Sequence, residues 1–261
     1  MESHVIDIRN RYITHPGQLG SPFNEDDGIG LAEDKRLFVK DCVIDFSAVP
    51  LDAQDEACAT TRGCSASFVR CIIRGAGKLF LIGGGDKEWK PIEQGSSVVL
   101  RDCILEDFGR RGPEVQCGMA CHMERCLVQY WADPDRFIVR SFAAWAHDGG
   151  EIDAIDCLFR SRGVESVPWR QRVADLLNHI GQAVNDDGLK ALFSSKTYIP
   201  GYQRALMATD GGKVTARHCW FGPETYTDSD DDSMTDDEAA DMMAYFDKLR
   251  EEIRAGSRCG A

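Results

Sequence analysis

The chain has 261 residues and a formal net charge of −13, and 43% of its residues are hydrophobic. That content is enough to bury a large core, and the length suits one domain with a tail. No apolar run approaches the roughly 20 residues that cross a bilayer, and there is no basic stripe, so membrane-spanning and nucleic-acid-binding functions are excluded. The first residues do not resemble a signal peptide, so we expect secretion only if the N-terminus is truncated.

A short pattern recurs along the first 223 residues: a polar residue, a cysteine and two apolar residues. An earlier copy at Arg9–Ile13 carries Asn10 in place of the cysteine. Counted from Asn10, the copies are separated by 32, 29, 32, 23, 31 and 62 residues, and the last interval equals two periods of 31. Such intervals are typical of a solenoid in which each repeat forms one coil. The repeated cysteines are Cys42, Cys71, Cys103, Cys126, Cys157 and Cys219.

Each coil is predicted to contain a strand, a turn and a second strand, closed by a longer connection. The stretches before the cysteines alternate in polarity, as in Val214–Ala216, which favours strands. Because a single coil cannot bury its own inward face, stacking must supply the core, and the cysteines should form a column with Asn10 at one end. The chain has 11 cysteines but no CxxC pair, which indicates free, buried thiols and argues against a structural zinc site.

Residues 166–195 interrupt the strand pattern with apolar residues at helical spacing. Trp169, Val173 and Leu176 begin one apolar face, and Ser166 precedes it as the predicted N-cap. We therefore expect a helical insertion within a solenoid domain of residues 1–223.

Residues 224–261 are predicted to form an acidic linker and a last amphipathic helix. This segment carries 12 acidic and 4 basic residues, which give it a net charge of −8. Thr235 and Glu238 match a capping box, and the apolar residues that follow recur at helical spacing. The apolar face of this helix would either cover the end or flank of the solenoid or bind a partner.

Three stretches, in this order, resemble motifs of the pectate lyase family of polysaccharide lyases. Asp27–Leu31 followed by Leu37–Cys42 is similar to the family's DAI.I and VWIDHC segments at the same spacing. Lys78–Asp86 is similar to its KvmLIGssD, and Arg111–Gly118 to its RxPRxRxG. The resemblance covers roughly residues 5–222. It implies an all-β fold, a right-handed parallel β-helix, here with an inserted helical segment and a C-terminal helix.

The resemblance also implies a function, calcium-assisted β-elimination on an acidic polysaccharide such as polygalacturonate. By matching position, Asp27 and Asp55 would bind Ca²⁺. Lys78 would bind the substrate carboxylate, and Arg111 would abstract the proton. Arg110 is predicted as a further substrate-binding cation. Removing a proton beside a carboxylate builds up negative charge, which nearby cations stabilise.

Several positions depart from the family pattern. The third calcium carboxylate aligns with Ala59, although Glu56 or Asp52 could replace it. Glu114 and Gln116 stand where the family has arginines. Because calcium needs several oxygen ligands and the substrate is anionic, the calcium and substrate site is expected to be degenerate.

Two classes of function therefore stay open. The first is a lyase with a weakened calcium site. The second is a catalytically inactive β-helix that binds glycan or serves as a structural or interaction module. In the second case Lys78 and Arg111 would be ordinary solvated side chains, and Asp27 and Asp55 would be turn residues. His147 has no motif context and is expected to be an ordinary surface or helix histidine.

The chain begins where family members already have several coils. A truncated N-terminus is one explanation. If the start is genuine, the open first coil near Val5–Ile13 predicts pairing with another chain or a capping element.

Overall fold

The structure is a computed structural model that describes residues 5–19, 27–31, 36–50, 53–54, 56–61, 64–84, 97–131, 142–161, 204–223, 225, 227 and 233–258. The predicted helical insertion at 166–195 and the predicted calcium ligand Asp55 lie outside these residues. Within them, no helix is long and apolar enough to span a membrane.

The strands of the described residues form three parallel sheets, and successive strands along the chain enter the first, second and third sheet in turn. The first sheet consists of β1 (Val5–Arg9), β4 (Arg36–Lys40), β7 (Ser65–Val69), β10 (Ser97–Arg101), β13 (Ala120–Glu124), β16 (Glu151–Ile155) and β19 (Lys213–Arg217). The second consists of β2 (Tyr12–Ile13), β5 (Val43–Asp45), β8 (Ile72–Arg74), β11 (Ile104–Glu106), β14 (Leu127–Gln129), β17 (Leu158–Arg160) and β20 (Trp220–Phe221). The third consists of β3 (Ile29–Leu31), β6 (Glu56–Thr61), β9 (Lys78–Gly84), β12 (Glu114–Val115), β15 (Ala144–Ala146) and β18 (Leu206–Ala208). This arrangement is a parallel β-helix, which confirms the predicted fold.

The core fills the space between the three sheets. In β4, for example, Leu37 and Val39 point inward and are buried, while Arg36, Phe38 and Lys40 face outward. Phe68 of the first sheet and Phe80 of the third meet edge to face, with ring centroids 5.1 Å apart. Stacking of the coils thus supplies the interior that no single coil could form.

Two predictions about the coil were wrong. Every coil except the last has three strands among the described residues and not two, because the residues after each cysteine form a separate short strand of the second sheet. The 62-residue interval before Cys219 is a single coil and not two periods, because β17 pairs directly with β20 and β16 with β19.

The corner between the first and second sheets has the same length in every coil. Two residues separate the strands, and the first of them has a left-handed backbone. Asn10 and Asp41 share a φ of 53°, so they are equivalent, and Arg11 occupies the position of Cys42. The prediction that Asn10 ends the cysteine column was therefore wrong by one residue. At this corner, the left-handed residues of the seven coils are Asn10, Asp41, Arg70, Asp102, Arg125, Asp156 and His218.

The cysteine at this corner is buried in all six coils that carry it. The thiol of Cys42 donates to the carbonyl oxygens of Lys40 at 3.2 Å and of Ile8, in the preceding coil, at 3.8 Å. Cys157 repeats the arrangement with Ile155 at 3.2 Å and Met123 at 3.6 Å. A thiol is small and is a weak donor, so it suits a tight apolar corner with carbonyl groups nearby. None of the ten described cysteines is in a disulfide.

The C-terminal helix α1 (Asp236–Arg258) lies along the outer face of the second sheet. Its 23 residues span about 34 Å, and seven strands about 4.8 Å apart span about 29 Å, so the helix matches the full stack. It runs from the last coil towards the first: Trp220 Nε1 of the last coil donates to Asp236 Oδ1 at 2.8 Å, and Ser257 Oγ donates to the Asp41 carbonyl of the second coil at 3.0 Å. Phe246, Leu249 and Ile253 pack on the outward apolar residues of the sheet.

These contacts confirm one of the two interpretations of the helix, coverage of the flank of the solenoid. The capping box is also present. The Thr235 N–H donates to Glu238 Oε2 at 2.9 Å, and the Glu238 N–H donates to Thr235 Oγ1 at 3.3 Å.

The first coil provides the terminal strand of each sheet, β1, β2 and β3. Val5 of β1 is 54% exposed. Pairing of this coil with another chain stays a prediction.

The helix contacts predict that Phe246→Ala will lower the free energy of unfolding by about 3 kcal/mol, because the ring is fully buried against the second sheet. Lys248→Ala, on the exposed side of the same helix, is the control and should change stability by less than about 0.5 kcal/mol. Urea unfolding measures both variants. Equal stability of the two would show that the helix does not pack as described.

The cysteine positions predict selective alkylation. Burial raises the pKa of the Cys103, Cys126 and Cys157 thiols, which keeps them in the unreactive protonated form. Cys117 is the one described cysteine that is not fully buried. Brief treatment of the native protein with iodoacetamide, followed by peptide mass spectrometry, should modify Cys117 and spare the other nine described cysteines. Rapid modification of Cys103 or Cys126 would contradict the burial of this corner.

Candidate functional site

The N-terminal ends of the strands of the third sheet bring together most of the predicted site residues. Lys78 begins β9 and forms a parallel bridge with Arg110, which, with Arg111, comes just before β12. Glu56 begins β6 and pairs in register with Lys78. Asp27, two residues before β3, lies next to Glu56, whose backbone N–H donates to Asp27 Oδ1 at 3.0 Å. Residues far apart in sequence therefore share one edge of one sheet.

The connections that lead into this edge vary most in length. They range from 3 residues between β8 and β9 to 45 residues between β17 and β18. Those that lead from the first sheet to the second always have two. The shortest of these connections, the one with three residues, comes directly before Lys78.

Glu56 is a buried carboxylate with two cations beside it. Its Oε1 contacts the Arg111 guanidinium and lies 3.6 Å from Lys78 Nζ. Burial nevertheless raises the pKa of Glu56 to about 7. Arg111 opposes this rise, and the neighbouring Asp27 carboxylate adds to it. The site therefore brings together buried acids whose charged forms are stabilised by the nearby cations.

Arg111 also pairs with a second buried carboxylate. Its Nε lies 2.9 Å from Glu114 Oε2, although the N–H is not aligned for a hydrogen bond. Burial alone would raise the pKa of Glu114, but the hydrogen bond from His147 and the charge of Arg111 outweigh it and lower that pKa. Only 17% of the Arg111 side chain is exposed. Its description as an ordinary solvated residue was therefore wrong.

His147 completes this network, and the sequence analysis missed it. Its Nε2 lies 3.2 Å from Glu114 Oε1, its Nδ1 lies 3.0 Å from Asp148 Oδ2, and its ring stacks on Trp145 at 4.2 Å. Burial opposes protonation, but the two carboxylates outweigh it and raise the pKa of His147. The available signal was the spacing of Trp145 and His147, two residues apart around a strand, which places both on one face.

The described residues do not fit a calcium ion. Asp27 is 3% exposed, and its Oδ1 already accepts the backbone N–H of Glu56. Glu56 and Glu114 are both paired with Arg111. Calcium takes six to eight oxygen ligands, and no group of three or more acidic, histidine or cysteine side chains in the described ranges is arranged to hold a metal.

No protein-family model and no curated protein matches the chain. Several solved structures match it. A pectate lyase from Bacillus sp. N165, in complex with trigalacturonate, superimposes with a TM-score of 0.54 at 14% identity over 91% of this chain and 66% of that one. The chain has the fold of the pectate lyases. A thermostable pectate lyase gives a TM-score of 0.49 at 12% identity, over 88% of this chain and 51% of its own. The chain thus spans just under two thirds of the first pectate lyase and about half of the second.

The His147 contacts predict a pH-dependent contribution to stability. Because the folded pKa of His147 is raised above the ordinary 6.5, protonated His147 stabilises the fold below that value, and the contribution is lost as the pH rises through the raised pKa. His147→Gln should lower the free energy of unfolding by about 2 kcal/mol at about pH 5.5 and by much less at about pH 9.

Urea unfolding at the two pH values measures this difference. His122→Gln, at a half-exposed histidine on the first sheet, is the matched control and should have little effect at either pH. An equal loss for His147→Gln at both pH values would show that the charged form of His147 does not stabilise the fold.

Proposed function

We propose that this protein binds an acidic polysaccharide at the N-terminal edge of the third sheet, through Lys78 and Arg110, without calcium-assisted elimination. The observation that carries the proposal is the bridge between Lys78 and Arg110 on neighbouring coils. Adjacent strands are about 4.8 Å apart, so the backbones of the two cationic residues lie one strand spacing apart on neighbouring coils. A polymer with a carboxylate on each sugar suits such a repeated arrangement.

The local charges support an anionic ligand. The pKa of Lys78 is lowered by burial and then by the charges of Arg111 and Arg110. An anion at this position would relieve that repulsion and favour the charged amine. The pectate lyase of similar fold was solved with trigalacturonate, which supports acidic oligosaccharides as the ligand class.

The contacts of Arg111 favour binding over elimination. A proton acceptor needs a nitrogen lone pair that can reach the substrate, whereas a guanidinium only donates, and that of Arg111 contacts the buried carboxylates of Glu56 and Glu114. While Glu56 and Glu114 hold Arg111, each has only part of its carboxylate available for a metal ion. Among the alternatives left open by the sequence, these contacts support the catalytically inactive, glycan-binding β-helix. Calcium-assisted elimination stays a prediction that the same experiments test.

Isothermal titration calorimetry with trigalacturonate and with an alginate oligomer tests the proposal. Lys78→Ala and Arg110→Ala should each weaken binding about tenfold, because each removes a charge-assisted hydrogen bond, and added salt should weaken binding further. Lys213→Ala is the control, because Lys213 is exposed on the first sheet and pairs only at the surface with Glu151.

Two results would contradict the proposal. If neither oligomer binds, the acidic polysaccharide is not the ligand. If incubation with polygalacturonate and Ca²⁺ produces the ultraviolet absorbance of unsaturated uronates, and Arg111→Ala abolishes it, the protein is a lyase and Arg111 is required for its reaction.

A further inference from the structure

A groove lies between one flank of helix α1 and the C-terminal ends of the strands of the second sheet. Its volume is about 450 Å³, within the range of about 300–1,000 Å³ that is typical of small-molecule sites. Glu106, Gln129 and Arg160, the last residues of β11, β14 and β17, lie in register along one wall. Asp247 and Arg254 of the helix line the other wall. The groove shares no residue with the candidate site on the third sheet.

The two carboxylates of the groove are already paired within the fold. Glu106 is 4% exposed, and its Oε2 accepts hydrogen bonds from Arg250 Nη2 at 2.7 Å and from Gln129 Nε2 at 2.8 Å. Asp247 Oδ1 accepts a hydrogen bond from Arg250 Nη1 at 3.2 Å. Arg250 is therefore the cation that both acids hold, and it fastens the helix to the sheet.

The other two arginines of the groove have no carboxylate partner. The Arg160 guanidinium lies over the ring of Tyr130, with Cζ 5.5 Å from the ring centroid. Neither Arg160, which is exposed, nor the partly buried Arg254 forms a side-chain hydrogen bond or ion pair within the described part of the chain. The buried Nε of Arg250 also has no hydrogen-bond partner among the described residues. Guanidinium groups bind oxyanions through charge-assisted hydrogen bonds, so these donors indicate an anionic ligand.

Arg160 and Arg254 lie toward opposite ends of the groove. Because Arg250 binds Glu106, Arg254 lies about one helical turn, roughly 6 Å, from that contact in the direction of the first coil. Arg160 lies two strands from Glu106 in the direction of the last coil, a distance of about 10 Å. The backbones of the two arginines are thus about 16 Å apart, and their long side chains can extend toward each other along the groove.

We propose that this groove binds a small organic molecule with two oxyanion groups, one held by Arg160 and the other by Arg254. Phosphate and carboxylate groups share the required chemistry, because the planar guanidinium donates two parallel N–H bonds to either. The spacing of the two arginines favours a ligand whose acidic groups stand at opposite ends. This site lies on a different sheet from the proposed polysaccharide site and does not depend on it.

Isothermal titration calorimetry at low salt with fructose 1,6-bisphosphate and with octanedioate tests the proposal. Inorganic phosphate is the comparison with a single oxyanion. At least one of the two longer anions should bind about tenfold more tightly than inorganic phosphate, because it contacts both arginines. Binding of the bisphosphate alone would identify phosphate as the recognised group, and binding of octanedioate alone would identify carboxylate.

Arg160→Gln and Arg254→Gln should each weaken binding of the longer anion about tenfold. Neither change removes a described ion pair, so both variants should fold as the native protein does. Arg101→Gln, which removes an exposed arginine paired with Glu124 on the first sheet, is the matched control and should leave the affinity unchanged. Lys78→Ala should also leave it unchanged, which separates this site from the one on the third sheet.

Three results would overturn the proposal. The first is that neither longer anion binds more tightly than inorganic phosphate. The second is that Arg160→Gln or Arg254→Gln binds as the native protein does. The third is that Lys78→Ala weakens binding as much as the two groove variants.

Discussion

In-register pairing of each coil with the next determines where every side chain of the candidate site lies. Each coil before the last adds one strand to each of three parallel sheets, so residues about 30 positions apart become neighbours about 4.8 Å apart. The pairing of Glu56 with Lys78, and of Lys78 with Arg110, follows from this geometry. A shift of one residue in any pair would turn these side chains from the outer face to the core.

Two other features keep the stack in this register. At the corner between the first and second sheets, a left-handed residue and a buried thiol repeat with constant spacing. Along the second sheet, helix α1 contacts the coils from the last to the first, through apolar residues and through side chains such as Tyr245. The connections into the third sheet are free to vary in length, and the charged cluster lies at that edge. The first two sheets, with their constant corners, thus position the third sheet, whose incoming connections differ in length from coil to coil.

The sequence was sufficient to predict the β-helix, the last helix with its cap, and the neighbourhood of Lys78, Arg110 and Arg111. Those predictions rest on periodicity and on matched motifs, which depend on local spacing. Asn10 was wrongly placed in the cysteine column because the repeat was aligned on its cysteine. The feature that recurs in all seven coils is the positive φ at Asn10 and its equivalents. The pairing of His147 with Glu114 was missed because it depends on two strands that lie side by side only after the coils stack. The local spacing places Trp145 and His147 on one face but does not identify Glu114 as the partner.

The most direct test of the account is a disulfide that can form only in the correct register. Ser67 and Val99 are paired neighbours on the outer face of the first sheet, whereas Ser67 and Arg101 are two residues out of register. Paired positions lie within disulfide reach, and the diagonal pair is about 8 Å apart. Mild oxidation of Ser67→Cys/Val99→Cys should give a specific intramolecular disulfide, detected by peptide mass spectrometry, while Ser67→Cys/Arg101→Cys should stay reduced. The opposite result would contradict the register, and with it the arrangement of the site.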